Sequence, residues 1–184
     1  MTTYWNSAGK AHTAATVKLA VERARELGIK HIVVASVTGY AAEMLLKYPD
    51  LERICVTHQA GFSRPGEMEM PAEVRRRLEE GGMKVLTTTH LMAGLDRALR
   101  LKFQGLYPSE IVANTLRLFG QGTKVAVEVA GMALDAGLIP YGVDVVSLGG
   151  SSEGLDTALV VRPAHSQHFW ETKVKEIICK PREF

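Results

Sequence analysis

Residues 31–48, HIVVASVTGYAAEMLLKY, limit the fold more than any other stretch of the chain. Ile32, Val33, Val34 and Ala35 form an uninterrupted apolar run, the pattern of a strand buried on both faces between layers of helices. The run stops at Ser36-Val37-Thr38-Gly39, and Tyr40, Ala41, Met44, Leu45 and Tyr48 then recur at helical spacing. The reading is a strand, a hydroxyl-rich turn and a helix over 40–48. Ser36 and Thr38 suit a helix start, Gly39 lets the backbone come close to whatever lies above the turn, and the first helical N–H groups make a ready anion site. Two readings stay open: a phosphate cradle, and a capped turn that holds nothing.

The same alternation runs through the rest of the chain. Val17, Ala20, Val21, Ala24 and Leu27 give the buried stripe of a helix over 13–27, stopped by Gly28. Strands are expected at 53–57 and 83–87, with a helix between them that Pro71 opens and Gly81-Gly82 ends. Residues 58–70, HQAGFSRPGEMEM, make a long irregular loop, and a loop of that length in a compact domain is a candidate for function. Its His58, Ser63 and Arg64 are possible ligand contacts, the other reading being a solvent-exposed excursion. Residues 91–136 read as three helices: Leu91, Leu95, Ala98 and Leu99 as the buried stripe of the first, Pro108 opening the second, and Thr123 capping the third. Glu128 and Asp135 lie on different faces of that third helix and form no acid/base pair. Strands at 143–148 and 155–161 are joined so closely that they must run antiparallel. One helical turn at 165–170, a strand at 174–179 and a frayed tail complete the reading. Tyr4 and Trp5 near the start are read as covering a core edge, with stacking on a planar ligand as the alternative.

Strands alternating with helices and a terminal hairpin predict a three-layer α/β/α sandwich, mostly parallel, in one domain spanning 1–184. Right-handed crossovers place the first strand near the centre, the second and third on one side and the fourth on the other. The crevice between the first and fourth strands is then the switch point at which open sheets bind ligands. Two Gly/Ser/Thr turns fall there: Ser36, Thr38 and Gly39 on one side, and Gly149, Gly150 and Ser151 on the other. Thr88, Thr89 and His90 end a neighbouring strand at the same edge. Neutral hydroxyl and amide donors in this arrangement suit a phosphorylated ligand, with Thr89 and His90 at its polar edge.

Other classes find no support. With 22 Lys and Arg against 20 Asp and Glu, the charge is nearly balanced, and the run Arg75-Arg76-Arg77 reads as a solvated helix face rather than a nucleic-acid track. The two cysteines, Cys55 and Cys179, sit in apolar runs and fit a reduced, cytoplasmic setting. No His/Cys spacing suggests a metal. No run is long enough to span a bilayer, and MTTYWNSAGK lacks the core of a signal peptide. Neither GxxxxGK[ST], GxGxxG after the first strand, nor GxSxG is present.

The segment IVVASVTGYAAEMLLKYPDLERICVTHQ resembles the C-terminal α/β domain of pyruvate kinases, through Ser36, Thr38, Gly39, Ala42, Lys47, Tyr48, Pro49 and Val56-Thr57. VDVVSLGGSSEGLDTALVVRP is similar to the last hairpin of that domain, through Gly154, Asp156 and Thr157. The resemblance implies the fold and a phosphate site at the 36–39 turn. It does not imply kinase activity, because the catalytic barrel has no counterpart here. The loop over 58–70 and the helices over 91–121 are additional to the family pattern. The chain looks most like stand-alone archaeal and bacterial proteins carrying this domain, which implies flavin mononucleotide (FMN) as ligand, with its phosphate on the first turn and its ring over the strand ends. Three functions remain in view: a binding protein for FMN or another phosphorylated ligand, an FMN-dependent oxidoreductase with His90 or His58 beside the ring, and a regulatory or self-associating module, a possible homo-oligomer docked through the helices over 91–119.

Overall fold

The computed structural model describes residues 1–184. Its centre is β2 (His31–Ala35), whose alternate residues feed two cores: Ile32 and Val34 face one layer of helices and Val33 the other. β3 (Glu52–Val56) and β5 (Val145–Gly149) flank it in parallel, and both show the same alternation, Cys55 against Ile54 and Val56, and Val146 and Leu148 against Val145. β4 (Lys84–Leu86) lies parallel outside β3. On the other side β6 (Thr157–Arg162) and β7 (Lys173–Glu183) add antiparallel strands, giving one seven-stranded sheet with β1 (Thr3–Ser7) at its edge.

One layer holds α1 (Thr13–Glu26), α2 (Tyr40–Glu43) and α3 (Ala72–Glu80). The opposite layer is built on α6 (Gln121–Asp135), which is buried along almost its whole length, with α5 (Pro108–Arg117) packed on it and α4 (Gly94–Phe103) outside α5. This is the expected three-layer sandwich, with the first strand central and the second, third and fourth on the sides that right-handed crossovers require.

Several local expectations change; Thr123, expected to cap the third helix, lies inside α6, which starts at Gln121. Residues 1–9 contribute a strand rather than a cover: β1 pairs in parallel with β7, Trp5 opposite Pro181, and for the same reason the tail is a paired strand to Glu183 rather than a frayed end. Trp5 donates from Nε1 to the Asp156 carbonyl at 2.8 Å and stacks on His12, so its ring is taken within the protein. The helix expected over 40–48 stops at Glu43, because the carbonyls of Leu45 and Leu46 turn to the buried Arg53 guanidinium. Finally, α4 turns Leu95 and Leu99 to solvent instead of the core and has no buried residue at all.

Candidate functional site

Each central parallel strand delivers the residue after its last pair to the same edge of the sheet. There a cavity of about 860 Å³ opens between the strand ends, α6 and the α4–α5 hairpin. Its floor is Ser36, Val37 and Thr38 after β2, with Thr57 and His58 after β3. His90, beyond β4, closes one side; Lys124 and Glu128 of α6 form the wall; Arg97 and Arg100 of α4 and Asn114 and Arg117 of α5 form the roof. Gly150 and Gly154 reach it from the loop after β5, so the cavity spans the β2/β5 switch point and extends past it toward β4.

The turn after β2 is held by Ser36, which is buried, donates its N–H to the Val56 carbonyl at 3.0 Å and accepts at Oγ from the Ala42 N–H at 3.4 Å. Thr38 is exposed to the cavity. Gly39 has φ +93°, and a Cβ there would lie 2.3 Å from Val74 Cγ1. Its role is to let α3 pack against the turn, and it does not line the cavity. Thr57 and Thr87 share a hydroxyl–hydroxyl hydrogen bond of 2.7 Å, and Arg75 braces the pair by donating to Thr87 Oγ1 and the Val85 carbonyl.

The 58–70 loop folds back on itself. Gly61 donates to the Glu67 carbonyl at 2.8 Å, which brings Glu69 beside His58. Glu69 Oε2 lies 2.7 Å from His58 Nδ1, and Ser63 Oγ donates to Glu69 Oε1 at 2.7 Å. Burial would push the Glu69 carboxyl up, but the hydrogen bonds from Ser63 and His58 outweigh it and hold the group below the usual carboxylate range. Glu69 is therefore ionised near neutrality and accepts only, so Nδ1 of His58 carries the proton. Phe62 tilts over the His58 ring at 3.9 Å, His90 meets both rings edge-on, and Arg97 stacks over Phe62 at 4.6 Å.

Charge in the cavity is unevenly paired. Lys124 and Glu128 are buried and paired with each other, and Glu128 Oε1 accepts the Met92 N–H at 2.8 Å. Arg100 pairs with Glu110. Arg97 and Arg117 have no carboxylate partner; Arg117 is held by the neutral oxygens of Asn114 and Gln121. Burial lowers the His90 pKa, with Glu128 opposing and His58, Lys124 and Arg97 adding to the effect. A site with two uncompensated guanidiniums, a hydroxyl turn and a cluster of rings suits an anion with an aromatic body.

Of the residues expected at the site from sequence, Ser36, Thr38, His90 and Gly150 line the cavity. Thr89 does not: it faces a separate 180 Å³ depression with Leu91, Met132 and Asp135. Gly149 belongs to β5, where a Cβ would lie 2.3 Å from the Gly122 carbonyl, so its absent side chain admits α6. Ser151 does not line the cavity either; its backbone N–H donates to Asp156 Oδ2 at 3.1 Å. Sequence reasoning missed Phe62, Glu69, Arg97, Arg117, Lys124 and Glu128. A signal did exist for the last two: a lysine and a glutamate four apart in the otherwise apolar helix QGTKVAVEVAGMALD.

The pyruvate kinase alpha/beta domain model matches residues 14–161. Among solved structures, a pyruvate kinase from Cryptosporidium parvum is 21% identical, with a TM-score of 0.44 over 82% of this chain and 22% of that one. Another structure of Cryptosporidium parvum pyruvate kinase is 21% identical, with a TM-score of 0.39 over 74% of this chain and 20% of that one. The chain thus corresponds to about a fifth of the length of these enzymes. On the family match over most of its length, the chain belongs to the pyruvate kinase alpha/beta domain family.

Proposed function

We propose that the cavity binds a small phosphorylated ligand with an aromatic body, FMN being the best fit, and that the chain is the stand-alone form of its family. The observation that carries this is the arrangement along one cavity: the hydroxyl turn of Ser36 and Thr38 on its floor, the Phe62–His58–His90 rings along it, and the unpaired Arg97 and Arg117 above. In this reading Thr38 and the turn backbone hold the phosphate, and Gly150 leaves room on the opposite side. His90, kept neutral by burial, meets the polar edge of the ring system. The volume lies within the range of cofactor pockets and toward its upper end. The reading uses no metal, nucleic acid or membrane. No helix is long and apolar enough to cross a bilayer, and the two free, buried thiols of Cys55 and Cys179 fit a reducing cytoplasm.

The His58–Glu69 pair favours a second reading, an FMN-dependent oxidoreductase. Bound flavin would supply the electron-transfer chemistry. His58, with Nδ1 committed to Glu69, has Nε2 left to hold or pass on a proton.

The absorbance spectrum of the purified protein tests the first reading, measured before and after denaturation and again after FMN is added and excess removed by gel filtration. Flavin bands that travel with the protein and are released on denaturation are expected. A protein that retains no flavin even after loading refutes FMN as the ligand. Reduction of the bound flavin by a nicotinamide nucleotide separates the oxidoreductase from the binding protein.

A further inference from the structure

The α4–α5 hairpin is amphipathic in the reverse sense of a surface helix pair. Arg97 and Arg100 of α4 and Asn114 and Arg117 of α5 face inward to the cavity. On the outside, Leu95, Leu99 and Phe103 recur every fourth residue, with Leu95 81% and Phe103 63% exposed. Ile111 and Leu118 add to this face along α5, Leu118 being 75% exposed. The hairpin is nevertheless firmly built: Asp96 accepts from the N–H and hydroxyl of Ser109 at 2.9 and 2.6 Å, and Arg100 pairs with Glu110. An ordered hairpin that turns leucines to water and arginines inward is a surface made to be covered.

We propose that this outer face is the interface of a homodimer, in which two α4–α5 hairpins pack as a four-helix layer about a two-fold axis. The area supports this. At their observed exposures the five side chains offer roughly 650 Å², within the range of one partner's share of a standard interface. The charge pattern points to a like surface rather than a charged one. Of the four basic residues in the hairpin, Arg97, Arg100 and Arg117 face the cavity and only Lys102 flanks the stripe; Asp96 and Glu110 are committed within the hairpin. An apolar patch with so little charge at its rim matches itself under two-fold symmetry. It lacks the basic border with which helices settle on anionic lipid. Because the same helices carry Arg97 and Arg117 into the cavity, dimerisation would hold its roof in place.

Sedimentation equilibrium of the full chain tests the interface, with Leu95→Glu and Leu118→Glu as variants and far-UV circular dichroism as the fold control. A wild-type dimer at tens of micromolar is expected, with each variant monomeric and its helix content retained. Should either glutamate variant unfold, Phe103→Ser takes its place, with a rise of roughly tenfold or more in the dimer dissociation constant expected. A monomeric wild type, variants that stay folded and dimeric, or a monomer that sediments with anionic vesicles would each overturn the proposal.

Discussion

His58 Nδ1 and Glu69 Oε2 stand 2.7 Å apart, eleven positions apart in a loop that has no regular structure of its own. The pair closes the loop and fixes which ring nitrogen of His58 is free. Removing the carboxylate should free the ring more than it destabilises the fold, since pairs this exposed contribute little to stability. In Glu69→Gln, nitrogen NMR should show His58 moving from the Nδ1–H form to a mixture of tautomers, with the melting temperature nearly unchanged. A ring that keeps one tautomer in the variant would remove Glu69 from that role.

Gly39 joins the site to the fold. Gly39→Ala adds a methyl group 2.3 Å from Val74 Cγ1 at a φ of +93°. A loss of about 1–3 kcal/mol is expected from overpacking together with the left-handed backbone, read by chemical denaturation. Val74→Ala in the same chain should recover part of it, because it removes the clash and leaves the backbone strain.

The Lys124–Glu128 pair is buried in the cavity wall. Glu128→Gln leaves a buried ammonium uncompensated and should cost about 3–5 kcal/mol. The double change Lys124→Met with Glu128→Leu should restore much of that stability. If the single and double variants unfold alike, the Met92 N–H that Glu128 accepts matters more than the charge pair.

His90 predicts a pH dependence. Its pKa is lowered in the folded state, first by burial and then by His58, Lys124 and Arg97, against the pull of Glu128. The unfolded chain therefore binds more protons than the folded one below the ordinary histidine pKa of about 6.5. The stability of the folded protein should accordingly fall as pH drops from there toward the lowered value. Denaturant unfolding between about pH 7 and 5 should show a shallower decline in His90→Gln. An identical slope in the two proteins would mean that other groups carry it.

The sheet was legible because its signals are local. The apolar run from Ile32 to Ala35 and the short connection between β5 and β6 leave few arrangements open. β1 was not, because a polar edge strand such as Thr3–Ser7 carries no alternation and depends on a partner some 170 residues away, here β7. The site divides in the same way. Ser36 and Thr38 follow from the strand–turn–helix pattern. Gly39 and Gly149 read as ligand contacts because a sequence does not distinguish a glycine that admits a ligand from one that admits a helix. Leu95 and Leu99 were read as buried because periodicity gives the stripe and not the side that is covered.

The most direct test of the account is a backbone NMR titration with FMN, repeated on Thr38→Val. Shifts should concentrate at Ser36, Thr38, His58, His90 and Gly150, and the Thr38→Val change should weaken binding by about 1–3 kcal/mol if the hydroxyl is a buried donor to the phosphate. The Thr89–Asp135 depression should stay silent. No saturable shifts, shifts centred on that depression, or unchanged affinity in Thr38→Val would contradict the placement of a phosphorylated ligand at the end of β2.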